Sequence, residues 1–251
     1  MTRRLATLLA ALLLCVSAGA QQIYNMSFDH WSKKGVTWYP YPEGASGARK
    51  VWDSANPGIR PLGTNVAMPE YKHVAVPGPG KAAAKVVSKK VLWAFLTGNL
   101  YTGEFVRVVK LSGAEMYDGV PFSGRPSSMS GYCHYIPGVI DYAKAPYLSK
   151  KGKKDEGQIE VALYGWKERK HFISNDGPST PASEDPALIG RAVMVFSEDT
   201  GGYIPFEIKL DYVSEATPSF AFISVLSSRY GEFFTGSSSS VMYVDELRFN
   251  Y

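Results

Sequence analysis

The chain has 251 residues, with 27 Lys and Arg against 23 Asp and Glu, and 13% of it is aromatic. That length allows one large or two small domains, and the near balance of charge, with no basic stripe, excludes the footprint of a nucleic-acid binder. No apolar run reaches the roughly 18 residues of a membrane span.

The first twenty residues read as a secretory signal peptide: Arg3 and Arg4 are basic, residues 5–16 are apolar, and Ala18-Gly19-Ala20 has the small-x-small form of a cleavage site. Cleavage is expected after Ala20, with residues 21–251 as one exported domain: periplasmic, on the cell surface or secreted. Lipid attachment at Cys15 is the alternative, but Leu14 is not the small residue such a site wants before its cysteine. Beyond residue 20, 25 basic and 23 acidic residues remain, with Cys133 the lone cysteine. Without a disulfide, a core must hold the fold, and Cys133 in "GYCHYIPG" reads as a small buried hydrophobe.

Residues 37–58, "TWYPYPEGASGARKVWDSANPG", come next: two Trp, two Tyr and three Pro with neither a strand nor a helix period. They belong to a long irregular stretch, 35–79. Loops of that length in a compact domain are functional or disordered, and disordered segments are poor in aromatics. Strands are then predicted at 85–88, 91–96, 104–111, 129–136, 158–164, 192–196, 204–212, 220–226 and 240–251. In "IPFEIKLDY", 204–212, apolar and polar residues alternate, and Pro205 marks an edge or entry. "FAFISVL", 220–226, is apolar on both faces and reads as a central strand. Helical turns are expected only near 141–147 and 185–188. The lysine-rich 149–157 reads as a solvated loop. These many short strands separated by turns predict an all-β antiparallel sandwich.

Several familiar chemistries are missing. No P-loop, GxGxxG, HExxH or GxSxG occurs, and the four histidines lack metal-ligand spacing. "VPGPGK", 76–81, is no phosphate loop, because its prolines lack the N–H donors a phosphate needs. Carboxylates for glycoside hydrolysis exist, Glu104, Asp118, Asp155, Glu160 and Asp211 among them, but no spacing singles out a pair.

The motifs "NMSFDHWS" (25–32), "TWYPYP" and "VWDSANPG", "GNLYTGEF" (98–105), "GVPFSGRPSSMSGYCHYIPG" (119–138), "SSRYGEFFTGSSSS" (227–240) and "VDELRFNY" (244–251) span nearly all of residues 21–251. Together they resemble the putative carbohydrate metabolism domain family, exported proteins of saccharide-degrading gut bacteria. The resemblance implies a jelly-roll related to carbohydrate-binding modules, here without the additional N-terminal domain of many members. It implies a polysaccharide or glycan partner, and neither nucleic acid nor a membrane span. It assigns no reaction.

Sugars stack their C–H faces on aromatic rings and hydrogen-bond to amides, carboxylates and guanidinium groups. Trp38, Trp52, Tyr39 and Tyr41 are therefore candidate platforms, the tryptophans ahead of the tyrosines, with Asp53 and Asn56 as polar neighbours; the alternative is that the tryptophans plug one end of the sandwich. Asn99, Arg125 and Tyr230 are further candidates. The first two have structural alternatives, an Asx turn and an internal ion pair; Tyr230 is expected to project from its loop and to share a surface with the Trp38 loop. No cofactor is expected beyond a structural calcium, which the resemblance would put on Asp29 and Asp245. The functional expectation is glycan binding without catalysis. A glycoside hydrolase with an unidentified carboxylate pair and an adhesin-like protein-binding module are the alternatives.

Overall fold

A computed structural model describes residues 20–92, 94–110, 113–174 and 182–251. Most of the expected leader, with Cys15, lies outside these residues. In chain order the strands are β1 (Ser32–Lys34), β2 (Thr37–Tyr39), β3 (Trp52–Asp53), β4 (Ala67–Glu70), β5 (Ala83–Val87), β6 (Lys89–Val91), β7 (Ala94–Leu96), β8 (Asn99–Val109) and β9 (Gly113–Asp118). They continue with β10 (Val120–Pro121), β11 (Ser128–Ile136), β12 (Gly157–Tyr164), β13 (Lys170–Ile173), β14 (Leu188–Phe196), β15 (Ile204–Lys209), β16 (Asp211–Tyr212), β17 (Phe220–Leu226) and β18 (Val241–Asn250).

The larger sheet runs β13-β9-β8-β17-β12-β14-β16, with β3 beside β8 and β10 beside β17; the smaller runs β15-β11-β18-β5-β4. The pairings in both are antiparallel. Inward residues alternate along each strand: Ile159, Val161 and Leu163 of β12 and Ala221, Ile223 and Val225 of β17 meet Met129, Cys133 and Tyr135 of β11 and Met242 and Val244 of β18. Burial pushes the Cys133 thiol far above its usual range, which leaves it inert.

The strand predicted over 204–212 is two. Phe206, Ile208 and Leu210 are buried and Glu207, Lys209 and Asp211 exposed, as the alternation requires. After Leu210, however, the chain crosses from β11 to β14, so the segment turns a corner between the sheets. Its first half is an edge strand, where Pro205 needs no ladder partner for a missing N–H. β17 is central, between β8 and β12. The two helical turns expected near 141–147 and 185–188 lie just outside those spans, as 3-10 turns at Leu148–Lys150 and Ala182–Glu184, and further 3-10 turns occur at Gly47–Arg49, Arg60–Leu62 and Gly231–Phe233.

One end of the sandwich is closed by a buried carboxylate. Asp155 is fully buried. Its Oδ2 accepts hydrogen bonds from Ser228 Oγ (2.6 Å), Ser237 N (2.7 Å) and Ser240 Oγ (2.8 Å), and its Oδ1 from Glu156 N (2.9 Å). Ser88 Oγ extends the network, 2.8 Å from Ser228 Oγ and 2.9 Å from Ser227 Oγ, and accepts Gly98 N. The run of serines in "SSSS" is thus bound by acids: Ser238 gives its N–H and hydroxyl to Asp141. Removing the Asp155 carboxylate strands several buried donors, each worth about 1–3 kcal/mol. Asp155→Ala is expected to lower urea stability by about 3 kcal/mol or more and Asp155→Asn by less; a loss below about 1 kcal/mol in the alanine variant would contradict the assigned network.

Candidate functional site

The aromatic loop is an ordered structure held by amides. Trp52 pairs with Thr102 of β8 and is fully buried, its ring edge-on to Phe28 at 5.0 Å and its Nε1 donating to Tyr24 O at 2.9 Å. The expected platform is therefore a core plug, because β3 turns this side chain inward. Asn56 is also fully buried. Its Nδ2 donates to Trp38 O (2.9 Å) and Ala67 O (2.6 Å), and its Oδ1 accepts Val66 N (2.7 Å) and Ala67 N (3.2 Å). Asn99 Oδ1 accepts Ala55 N at 2.8 Å. Asn56 is thus spent on backbone through both its oxygen and its nitrogen, while Asn99 gives its oxygen to Ala55 and its nitrogen reaches only Thr97 O, at 3.4 Å. Trp38 is half-buried on the β1–β2 hairpin, with the Lys33 ammonium 5.0 Å from its ring centroid.

Two other expected residues lie apart from the loop. The Arg125 guanidinium donates to the carbonyls of Ser214 and Ala216 and lies 4.2 Å from the Tyr212 ring centroid. Tyr230 donates its hydroxyl to Glu156 (3.1 Å), accepts from Lys150 (3.0 Å) and rests on Tyr147. Both fasten neighbouring loops.

Of the expected residues, Asp53 and the two tyrosines of the loop, Tyr39 and Tyr41, line a groove. This open groove, about 410 Å³, runs between the loop and the far end of β8, with Tyr39, Tyr41, Lys50, Asp53, Phe105 and Arg107 on its walls. The Tyr39 and Tyr41 rings are 5.5 Å apart. Asp53 is 3% exposed. Its Oδ1 accepts Ser54 N and its Oδ2 Phe105 N, yet burial outweighs both bonds and pushes the carboxyl up to about 7. Glu104 is the opposite case: Lys50 and Arg169, each at 3.0 Å, hold it below the usual carboxylate range.

Behind the groove three sealed polar atoms have no hydrogen-bond partner: Tyr101 Oη, Asp118 Oδ1 and Arg169 Nε, out of five such atoms among the described residues. Native interiors satisfy nearly all such groups. Gly103 makes the cluster possible, since a Cβ there would come within 2.4 Å of Tyr117 O and 3.0 Å of the Tyr101 ring. Burial and the charge of Glu232 raise the Asp118 carboxyl to about 7. Lys50, Tyr101, Phe105, Arg107 and Arg169 did not stand out in the sequence. The signal was there for two of them: Tyr101, Gly103 and Phe105 share one face of β8 by period 2.

Asp29 and Asp245 do not form a calcium site. Asp29 accepts Ala82 N through Oδ1 (3.0 Å) and Lys81 Nζ through Oδ2 (3.0 Å), and the same ammonium reaches Glu246 at 2.6 Å. Asp245 accepts Ala75 N at 2.8 Å. The cation between the first turn and the last strand is Lys81, and a calcium beside it would meet an ammonium rather than oxygen donors.

A family model, the Putative carbohydrate metabolism domain, matches residues 27–250. The chain belongs to this family. Two solved structures share the fold of this putative carbohydrate metabolism domain. One, described as a putative glycoside hydrolase from Bacteroides thetaiotaomicron VPI-5482, aligns with a TM-score of 0.68 and 19% identity over 92% of this chain and 71% of its own. The other, described likewise and from Bacteroides vulgatus ATCC 8482, gives 0.65 and 17% over 89% of this chain and 96% of its own. Carbohydrate-binding modules are among the remoter matches, at TM-scores of 0.33 and 0.35. No curated protein matches the chain.

A test of the sealed cluster follows from the raised Asp118 carboxyl. A carboxyl whose folded value lies above its unfolded value stabilises the fold fully below about pH 4 and loses that contribution as pH rises through about 7. Asn cannot ionise. Asp118→Asn is therefore expected to gain stability relative to the unsubstituted protein as pH rises from about 4 to 7.5, read as a widening difference in melting temperature. A constant difference would show that Asp118 is ionised throughout.

Proposed function

We propose that this chain is an exported carbohydrate-binding protein and that its glycan lies in the groove between the aromatic loop and β8. The observation that carries this is the groove's lining: the rings of Tyr39, Tyr41 and Phe105 stand beside Lys50, Asp53 and Arg107. Rings give a sugar's C–H face something to stack on, and the charged groups meet its hydroxyls. Family membership supports the substrate class. Residues 1–20 carry the export half of the proposal.

A hydrolytic reading has its own support. Asp53 is held neutral up to about 7 while Glu104, bound by two cations, stays ionised. Carboxyls driven apart by their surroundings are how acid and base roles are divided in glycosidases. Both solved relatives of like fold are described as putative glycoside hydrolases. Against it, both Asp53 oxygens are bonded to backbone N–H groups.

One experiment separates the two readings. In affinity electrophoresis on a panel of soluble polysaccharides, the protein is expected to be retarded by at least one. Tyr41→Ala with Phe105→Ala should weaken that retention about tenfold, as loss of two ring contacts of about 0.5–1.5 kcal/mol implies, while Trp38→Ala, outside the groove, leaves it intact. Reducing ends are assayed on the same panel. Binding without release supports the binding protein; release that disappears in Glu104→Gln replaces it with the hydrolase. Full retention by the double variant removes the groove from consideration.

A further inference from the structure

The open side of the groove is basic. Two carboxylates near it are already held by basic side chains: Glu104 by Lys50 and Arg169, Glu115 by Arg107 (2.6 Å) and by His171 (3.0 Å), whose ring adds a charge only when protonated. Asp53, the one carboxyl on the groove wall, is sunk into the sheet with both oxygens occupied. What faces the open side is therefore Lys50 and Arg107.

Arg107 is the more telling of the two. Its side chain is 70% exposed, and Glu115 holds it through Nε alone. Both terminal nitrogens are without a hydrogen bond to any described residue, and the side chain lines the groove beside Phe105. A guanidinium anchored on its Nε edge offers its remaining N–H groups as a planar set, the shape that a carboxylate's two oxygens match. The rings of Tyr39, Tyr41 and Phe105 line the same groove, so a sugar stacked on them would bring a substituent within the sphere of that fork.

We propose that the groove takes a glycan bearing carboxylate groups, a polyuronate, with the Arg107 guanidinium receiving the sugar carboxylate. This rests on the reading of the groove as the sugar site. A neutral chain would use the rings and leave the fork to water. A uronate chain uses both, and its negative charge meets Lys50 and Arg107 on the groove's open side. The loop amides of Asn56 and Asn99 take no part, as neither lines the groove.

The test uses the protein without residues 1–20, titrated with polygalacturonate, alginate and a glucuronate-containing chain, each beside its own methyl ester, which keeps the rings and removes the charge. At least one acid form is expected to bind tenfold or more tighter than its ester, and the advantage should shrink as salt rises. Arg107→Gln should abolish the preference, and Arg107→Lys, which keeps the charge and loses the fork, should restore only part of it. Lys153→Gln, an exposed charge remote from the groove, should leave it unchanged; melting temperatures confirm that each variant is folded. Equal binding of acid and ester overturns the uronate proposal while leaving a sugar site in the groove. Equal binding of dextran sulfate, or an equal effect of Lys153→Gln, overturns it in favour of unspecific attraction between polyions. Retention of no polysaccharide, charged or neutral, overturns both this and the sugar-binding reading it rests on.

Discussion

The groove depends on one buried amide. Between β2 and β4 the chain runs for nearly thirty residues with only β3, two residues long, in a sheet. Its backbone polar groups must find partners elsewhere, because leaving them unpaired in the interior costs as much as losing the bonds outright. Asn56, inside that run, binds both of its ends with one side chain through four hydrogen bonds, reaching Trp38 of β2 on one side and Val66 and Ala67 at the start of β4 on the other. It acts as a cross-brace: it fixes the distance between the start and the end of the loop, and so the position of everything between. Asn99 adds a brace from β8 to Ala55. With the loop fixed, Trp52 seals the core beneath it while Tyr39, Tyr41 and Lys50 are held on the outer side.

This division explains which parts of the molecule were legible in the sequence. The sheets were, because alternation of apolar and polar residues is written locally and the burial of one face enforces it. The corner between β15 and β16 was not, since a strand that changes sheets keeps its alternation through the turn. The loop's aromatics were visible as a peculiarity, but their roles were not. Trp38 and Trp52 are the same residue type in one stretch of chain; β3 pairing alone sends one of them fully inside. Asn56, Asn99, Arg125 and Tyr230 are polar residues of the type that binds sugars, and each is bound to the protein instead. Residue type says what a side chain can bond to, and only the fold says what lies within reach. Asp53 was found, as a neighbour of Trp52, although its near-neutral carboxyl comes from burial that no spacing reveals.

Two neighbouring parts of the sandwich solve the same problem in different ways. In the aromatic loop, neutral amides satisfy backbone groups, and the charges stay at the rim in pairs and triplets such as Lys50–Glu104–Arg169. In the serine network a single carboxylate, Asp155, is taken fully inside and surrounded by hydroxyls and N–H groups. The two meet at the start of β8, where Gly98 N donates to Ser88 Oγ and the next residue, Asn99, accepts Ala55 N. A buried carboxylate is tolerable only when donors crowd around it, which is why the motif beside it is a string of serines. The donors of that network are spent inside the protein, whereas Arg107 in the groove keeps terminal N–H groups without a partner among the described residues, and that difference suits the one to architecture and the other to contact with other molecules.

Lys81 has a consequence of a different kind. An ion drawn from the surroundings binds in proportion to its concentration there, and the joint it makes loosens when the supply falls. The ammonium between Asp29 and Glu246 hangs on a side chain already part of the polypeptide, so its local concentration is set by the length of a four-carbon stem and not by the medium. The first turn and the last strand are thus joined by a counter-ion that is inherited with the sequence. The junction needs no mineral ion from whatever fluid bathes the protein, and dissolved salt acts on it only by screening.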